Sequence, residues 1–311
     1  MENSVCPISG KRDFEPFLAV PDRFRPDSRW QIVRSRPSGL LMLDPRPSFP
    51  EISRFYGQES YDPHLHDAMA GSLRNRLYLA ARTLLLNRKA SLVLYGEKKT
   101  LTGCRILEIG CSTGDLLRHL KLARGIPAGH LRGIETDPEA AAVAEAKTNV
   151  PIDRHPAGRS QSRKAFDRIV LWHAFEHVHD LHSLLNNISE QLDRQGTVVM
   201  ALPNPESRDA RHYRQHWVAW DAPRHLWHFT PSVLEALLAK HGFELCRMVP
   251  YLPDTLYTCW YSGKLAAREY GRSFGLAGIA EALVQAAAGI ASAPFSREKA
   301  STLVYYFRKA R

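Results

Sequence analysis

The sequence predicts an α/β fold in which a mostly parallel sheet carries helices on both faces. From Cys104 onward, short apolar runs alternate with segments whose apolar residues recur at helical spacing. Residues 1–63 are instead rich in proline and arginine, and about fifty residues separate the last two predicted strands. We therefore expect a small loop-rich N-terminal module over 1–63 and one domain over 64–311, with a helical insertion at about 250–300.

Six apolar runs define the predicted sheet. We place its strands at 105–109, 131–135, 166–172, 197–202, 243–249 and 302–307. A further strand at 149–154 is short and leads into a polar stretch, so its position stays open. The last strand follows the insertion, which carries an alanine-rich helix and is a candidate lid or docking surface.

Start and stop signals define several of the helices. Asp137 followed by Pro138 predicts a helix start, and Gly125 predicts the end of the helix before it. Leucines at helical spacing predict a connecting helix over 66–94 and another helix that begins at Leu181 and ends before Gly196. These helices would cover the two faces of the sheet.

Composition and charge narrow the class of protein. The chain has 311 residues, of which 44% are hydrophobic, so it can bury a sizeable core. Its five cysteines are spread over the whole length and do not form the pattern of a disulfide framework. This distribution favours a cytoplasmic setting. The formal net charge of +10 favours an anionic partner, such as nucleic acid, membrane headgroups or a phosphorylated substrate.

The turn after the first strand of the sheet points to a nucleoside-like ligand. Gly110 and Gly114 allow positive φ and a close approach of a ligand to the main chain. Glu135 ends the next strand, where a carboxylate can accept both hydroxyls of a ribose. The glycine spacing does not fit a dinucleotide fingerprint, and Asp115 stands where a phosphate-binding loop has lysine.

Several motifs resemble class I S-adenosylmethionine-dependent methyltransferases. LEIGCSTGD at 107–115 and GIETDPEA at 133–140 are similar to motif I and the second-strand motif of that family. FDRIVLWHAFEHVHD at 166–180 resembles the ubiquinone-type small-molecule subgroup, and the block at 217–243 resembles a subgroup signature. The resemblance covers about two thirds of the chain, and Ser112 departs from the usual glycine.

This resemblance implies a fold, a cofactor and a set of cofactor contacts. The fold is a Rossmann-like seven-stranded sheet with an antiparallel last strand, and the cofactor is S-adenosylmethionine. The residues expected to line the cofactor are Glu108, Gly110, Cys111, Gly114, Glu135, Asp153 and Trp172. For Asp153, a solvated loop aspartate is an equally good interpretation, and Cys111 is expected to pack rather than to act as a nucleophile.

Methyl transfer to a hydroxyl is helped by a base, and histidine is the usual choice near neutral pH. His177 is the first candidate, followed by His173 and His225. Trp217, Arg224 and His228 are candidates for contacts with the acceptor. Each of these side chains could instead be a structural residue of the core.

The N-terminal module resembles a zinc ribbon that has lost most of its ligands. Cys6 and Ser9 lie where the first knuckle of such a ribbon has two cysteines, and Ser35 and Ser38 lie where the second knuckle does. Hydroxyl groups bind zinc poorly, so we expect no structural zinc. An unrelated proline–glycine loop is the alternative.

The sequence therefore predicts a methyltransferase that acts on a small molecule, most naturally on a hydroxyl of a sugar, lipid-linked or phenolic compound. The acceptor could be anionic or attached to a membrane, because basic residues flank the apolar helix within 264–299. RNA is a less favoured substrate, since no RNA-binding module is recognisable. A non-catalytic partner that kept the fold is the third hypothesis.

Overall fold

The computed structural model describes residues 1–25, 27–56, 73–97, 99–155, 158–162 and 165–310. Its strands are β1 (Phe14–Pro21), β2 (Arg29–Ser35), β3 (Leu41–Leu43), β4 (Ile106–Ile109), β5 (Leu131–Ile134), β6 (Ile152–Asp153), β7 (Phe166–Trp172), β8 (Leu192–Pro203), β9 (Trp227–His228), β10 (Phe243–Pro250) and β11 (Thr302–Lys309). Its helices are α1 (Phe49–Ile52), α2 (Leu73–Val93), α3 (Asp115–Arg124), α4 (Pro138–Thr148), α5 (Leu181–Gln191), α6 (Arg208–Tyr213), α7 (Pro231–Ala239), α8 (Pro253–Glu269) and α9 (Leu276–Ser292).

The larger sheet has seven described strands in the order β10-β11-β8-β7-β4-β5-β6. β11 is antiparallel to both of its neighbours, and the other adjacent pairs are parallel. The predicted Rossmann-like fold is therefore confirmed. The strand order reverses beside β4, so the carboxyl ends of β4 and β7 open onto the same crevice, where α/β sheets bind their ligands.

One predicted boundary is wrong. The helix expected to continue towards Gly196 ends at Gln191, and the chain is extended from Leu192 onward. Leu192 pairs with Phe166 of β7, and a Cβ at Gly196 would lie 2.9 Å from the carbonyl oxygen of Phe166. The close approach of these backbones therefore favours an early strand start over another turn of helix.

The N-terminal segment contains more regular secondary structure than the loop-rich module that the sequence predicts. β1, β2 and β3 form an antiparallel sheet, and β9, from the second half of the chain, adds to its edge with Leu41 opposite His228. Val20 and Ile32 of this sheet belong to the same buried apolar cluster as Leu107 of the larger sheet. The proposed boundary at residue 63 lies outside the described residues and stays a prediction.

The two ribbon-like turns of this segment bring their side chains together. The Cys6 thiol lies 3.1 Å from the Ser38 hydroxyl. Burial raises the pKa of this thiol, but hydrogen bonds from the hydroxyls of Ser35, Ser38 and Ser9 outweigh burial and lower it. Hydroxyls thus surround the one sulfur atom of the motif, and the resemblance to a zinc ribbon stays a prediction.

The insertion and the connecting helix differ from expectation in detail. The insertion contains two helices, α8 and α9, which pack on each other, and each buries part of its surface, at Cys259 in α8 and at Ala282 in α9. In α2, Leu84 is 71% exposed, so the predicted apolar face is not buried there. None of the helices in the described ranges is long and apolar enough to span a bilayer.

Candidate active site

The turn that joins β4 to α3 leaves part of its backbone open to solvent. Gly110 and Gly114 both have φ of 74°, and Ser112 has φ of 48°. A Cβ at Gly110 would lie 2.6 Å from the Cβ of Ala174, so glycine is needed for the turn to pack against the end of β7. Gly110 and Ser112 are exposed, which leaves a peptide surface that a ligand can approach.

Glu135 follows β5 and faces this turn. Its Oε2 accepts a hydrogen bond from the backbone N–H of Ser112 at 2.8 Å, and its Oε1 accepts one from the N–H of Asp137 at 3.0 Å. A carboxylate offers about four lone-pair positions, so each oxygen keeps room for a second donor. The geometry therefore fits a group that presents two adjacent hydroxyls, as a ribose does.

Glu108 lies at the carboxyl end of β4 and is 2% exposed. Its Oε1 lies 3.4 Å from Nζ of Lys89 in α2, whereas its Oε2 has no hydrogen-bond partner within the described part of the chain. Burial raises its pKa to about 7, although the charge of Lys89 opposes the shift. An unsatisfied buried oxygen next to the glycine turn fits a site that a polar ligand completes.

Glu108→Gln should stabilise the ligand-free protein at pH 8 more than at pH 5. The pKa of Glu108 in the folded chain exceeds the ordinary value of 4.5, so the folded state binds the extra proton between these two pH values. The free energy of unfolding of the wild type therefore falls as pH rises from 4.5 to 7. The variant lacks this ionisable group, so its free energy of unfolding does not show this decrease. Thermal melts of the wild type and the variant at pH 5 and pH 8 measure the difference in stability between the two proteins. An equal difference at both pH values would contradict the burial of an ionisable Glu108.

The remaining cofactor candidates lie around the same crevice. Trp172 ends β7, and Nζ of Lys89 lies 4.9 Å from the centre of its ring. Burial raises the pKa of the Cys111 thiol, which keeps it protonated and leaves it no role as a nucleophile. The carboxylate of Asp153 is held by Arg132, at 3.3 Å, and by the N–H of Gln161, at 3.1 Å. The contact of Asp153 with an adenine stays a prediction.

His173 is held by two carboxylates and does not suit a base. Its Nε2 lies 2.8 Å from Asp254 of α8, and its Nδ1 lies 3.5 Å from Glu176. Burial alone would lower the pKa of His173, but the two carboxylates outweigh burial and raise it to about 10. At neutral pH the ring is therefore protonated, and it ties the insertion to the end of β7.

His177 and His225 come together with Glu176, and we call these three residues the Glu–His–His cluster. The rings of the two histidines lie 4.6 Å apart. Nδ1 of His177 lies 3.0 Å from both the Tyr56 hydroxyl and the carbonyl oxygen of Arg224. Burial and the neighbouring His177 lower the pKa of His225 to about 4, so this ring is neutral near pH 7. The structure thus brings together two of the three predicted catalytic histidines.

The three candidates for acceptor contacts are buried. Trp217 donates its indole N–H to Asp209 at 2.7 Å, and the guanidinium of Arg224, at 0% exposure, binds Asp22 and Asp221. Burial and the neighbouring His225 lower the pKa of His228 to about 3. These contacts give Trp217 and Arg224 structural roles, whereas the ring of His228 packs 4.9 Å from that of Trp220. The contact of all three residues with an acceptor stays a prediction.

Sequence reasoning missed the residues that reach the crevice from distant parts of the chain. Lys89 comes from the connecting helix, Tyr56 from the N-terminal segment and Asp254 from the insertion. The only local signal was at Asp254, which lies in the first turn of a helix that begins with proline. Such long-range contacts leave no mark in local periodicity.

The family described as a methyltransferase domain matches residues 70–247, which is more than half of the chain. The chain belongs to this methyltransferase family. The predicted enzyme class is thereby confirmed, and the cofactor of this methyltransferase is S-adenosylmethionine, as the sequence predicted. No curated protein matches the chain.

Solved structures of methyltransferases resemble this methyltransferase at low identity. One is an O-methyltransferase from a trans-AT PKS multienzyme of Brevibacillus brevis, in complex with S-adenosyl-L-homocysteine, at 17% identity over 76% of this chain and 77% of that chain, with a TM-score of 0.46. Another is a putative sarcosine dimethylglycine methyltransferase from Galdieria sulphuraria, at 13% identity over 76% and 88%, with a TM-score of 0.48. A third is a possible histamine N-methyltransferase from Thermotoga maritima, at 17% identity over 76% and 97%, with a TM-score of 0.45.

Proposed function

We propose that this methyltransferase transfers a methyl group to a hydroxyl of a small molecule, such as a sugar, a lipid-linked compound or a phenol. This proposal rests on one observation, which is that two features suited to a donor and an acceptor lie at the same crevice. The exposed turn with Glu135 fits the nucleoside of the methyl donor, and the Glu–His–His cluster lies beyond the end of the adjacent strand, β7. This arrangement supports a donor site and an acceptor site that lie next to each other.

The residues at the donor side bind and orient. S-adenosylmethionine, when bound, supplies an electrophilic methyl group. The two oxygens of Glu135 would accept the ribose hydroxyls, and the unpaired oxygen of Glu108 would meet a polar group of the donor. The transfer itself is an in-line displacement, so holding the acceptor oxygen near the methyl carbon with water excluded contributes most of the rate.

The residues at the acceptor side handle the proton. A carbonyl oxygen only accepts hydrogen bonds, so the contact with Arg224 assigns the hydrogen of neutral His177 to Nδ1. This leaves a lone pair on Nε2 of His177 to receive the proton of the acceptor hydroxyl. Tyr56 and the Arg224 carbonyl hold the ring in place, and the buried carboxylate of Glu176 lies in the same cluster.

The proposal is tested by label transfer from S-adenosylmethionine with a tritiated methyl group to a panel of nucleotide sugars, lipid-linked sugars and phenols. We expect one class to be labelled, and we expect His177→Ala to lower kcat by about 100-fold to 10,000-fold because the base is lost. Donor affinity should stay unchanged, since His177 is assigned to the acceptor side.

His182→Ala is the matched control, because His182 is exposed and pairs only with the nearby His241 among its described contacts. It should keep full activity. Labelling of bulk RNA instead of the panel would favour the RNA hypothesis, and donor binding without any transfer would favour a non-catalytic partner. Contact of the 264–299 region with a membrane stays a prediction.

A further inference from the structure

The Glu–His–His cluster has the composition of a metal site. One carboxylate oxygen of Glu176 and one ring nitrogen from each histidine lie within 4.8 Å of one another. Two donors bound to the same tetrahedral ion at about 2.1 Å lie about 3.4 Å apart, so side-chain movements of about 1 Å would close the set. Two imidazoles and one carboxylate are a common ligand set for divalent transition metals.

Glu176 supplies the first independent observation. Its side chain is 1% exposed, yet neither of its carboxylate oxygens has a hydrogen-bond partner among the described residues. The protonated ring of His173 lies 3.5 Å from Oε1 of Glu176, which balances charge but is too long for a good hydrogen bond. Buried polar groups without a hydrogen bond are rare in native proteins, so the carboxylate of Glu176 has room for a further ligand. A cation bound between Glu176 and the histidines would satisfy it.

The tautomer of His225 supplies the second observation. Nδ1 of His225 lies 2.8 Å from the carbonyl oxygen of Ala219, which can only accept, so Nδ1 carries the hydrogen. In the neutral ring Nε2 is then a lone pair, and it faces Oε1 of Glu176 at 4.0 Å and Oδ2 of Asp221 at 3.9 Å. A cation bound between this lone pair and the Glu176 carboxylate would be attracted by both.

Backbone carbonyls orient both histidines of the cluster. His225 is held by the Ala219 carbonyl and His177 by that of Arg224. Metal-binding histidines almost always donate their other ring N–H to a carbonyl or carboxylate, which fixes the tautomer and directs the free nitrogen at the ion. Both histidines of the cluster therefore have the support that metal ligands have.

We propose that Glu176, His177 and His225 bind one divalent transition-metal ion, such as Zn²⁺ or Co²⁺. Three protein ligands leave coordination positions for an oxygen of the acceptor, as in open metal sites. The ion would lower the pKa of a bound hydroxyl, and His177 would then position the ion rather than take the proton itself. This role in transfer rests on the proposed function, whereas binding of the metal does not.

Untagged full-length protein, treated with a chelator and dialysed, is titrated with Co²⁺ while visible absorption is recorded. We expect one equivalent to produce ligand-field bands, and we expect Zn²⁺ to displace them. Glu176→Gln and His225→Ala should each weaken Co²⁺ binding by about 100-fold or more, since each loses a direct ligand and even outer-shell changes cost 10-fold to 100-fold.

The exposed pair of His182 and His241 provides the control. Nδ1 of His182 lies 2.8 Å from Nε2 of His241, so this pair could hold Co²⁺ weakly at the surface. His182→Ala should leave the titration unchanged if the cluster is the site. Binding of S-adenosylhomocysteine, measured on the same samples, shows that each variant is folded and tests the donor site separately.

Wild type that binds S-adenosylhomocysteine but takes up Co²⁺ no more tightly than His225→Ala would overturn the metal site and leave the proposed function intact. Loss of the Co²⁺ signal in His182→Ala would also overturn the proposal, because it would assign the binding to the surface pair.

Discussion

Replacing Glu135 with alanine is expected to weaken the binding of S-adenosylhomocysteine by roughly 100-fold to 10,000-fold or more, with little change in the fold. Each hydrogen bond from a ribose hydroxyl to an ionised carboxylate contributes about 1.5–3 kcal/mol, and the substitution removes two of them. Isothermal titration calorimetry of the wild type and the variant measures the difference directly. The same loss should appear with S-adenosylmethionine, since the two ligands share the ribose.

Two further variants separate ligand contact from local structure. Glu139→Ala removes an exposed carboxylate from the first turn of α4, close to Glu135 in the chain, and should leave affinity nearly unchanged. Glu135→Gln keeps the size of the side chain but aims an amide N–H₂ at a backbone N–H donor, so it should also bind poorly. Equal affinity of Glu135→Ala and the wild type would remove Glu135 from the donor site.

Replacing Arg224 with methionine is expected to lower the free energy of unfolding by about 3–5 kcal/mol. The guanidinium is fully buried and binds Asp221 at 2.7 Å, Asp22 at 3.0 Å and the carbonyl oxygen of Phe55 at 3.0 Å. Arg224 and Arg23 together lower the pKa of Asp221, which stays ionised. The variant would leave buried carboxylates without this partner, and urea denaturation measures the cost.

Arg211→Met is the matched control, because Arg211 lies in α6 with an exposed side chain, and surface substitutions usually change stability by no more than about 0.5 kcal/mol. Arg224 is a stabilising residue in this account rather than an acceptor contact. If Arg224→Met unfolds at the same urea concentration as the wild type but raises the KM for an acceptor, the original prediction of an acceptor contact is correct.

The larger sheet could be predicted from sequence because its signals are local. The buried strands β4, β5 and β7 are short apolar runs, and Asp137 caps α4 through hydrogen bonds to the N–H groups of residues 139 and 140. Gly196 misled the prediction, because the glycine signals a close backbone approach inside β8 and not the end of a helix. The edge strand β9 was missed, since its partner β3 is far away in sequence.

The proposed donor side depends on local sequence, whereas the proposed acceptor side depends on distant parts of the chain. Gly110, Gly114 and Glu135 form a compact motif whose spacing carries the chemistry. The acceptor side depends on tertiary contacts, such as Tyr56 with His177 and Asp254 with His173. Burial and charge also changed the chemistry of single residues, because His173 is a fixed cation rather than a base.

The most direct test of the donor site is a crystal structure of the protein with S-adenosylhomocysteine. We expect the nucleoside to lie against the turn at Gly110 and Ser112, with both ribose hydroxyls within hydrogen-bond distance of the Glu135 carboxylate and the sulfur directed towards the Glu–His–His cluster. A ligand bound elsewhere, or one whose ribose leaves Glu135 untouched, would contradict the proposed site.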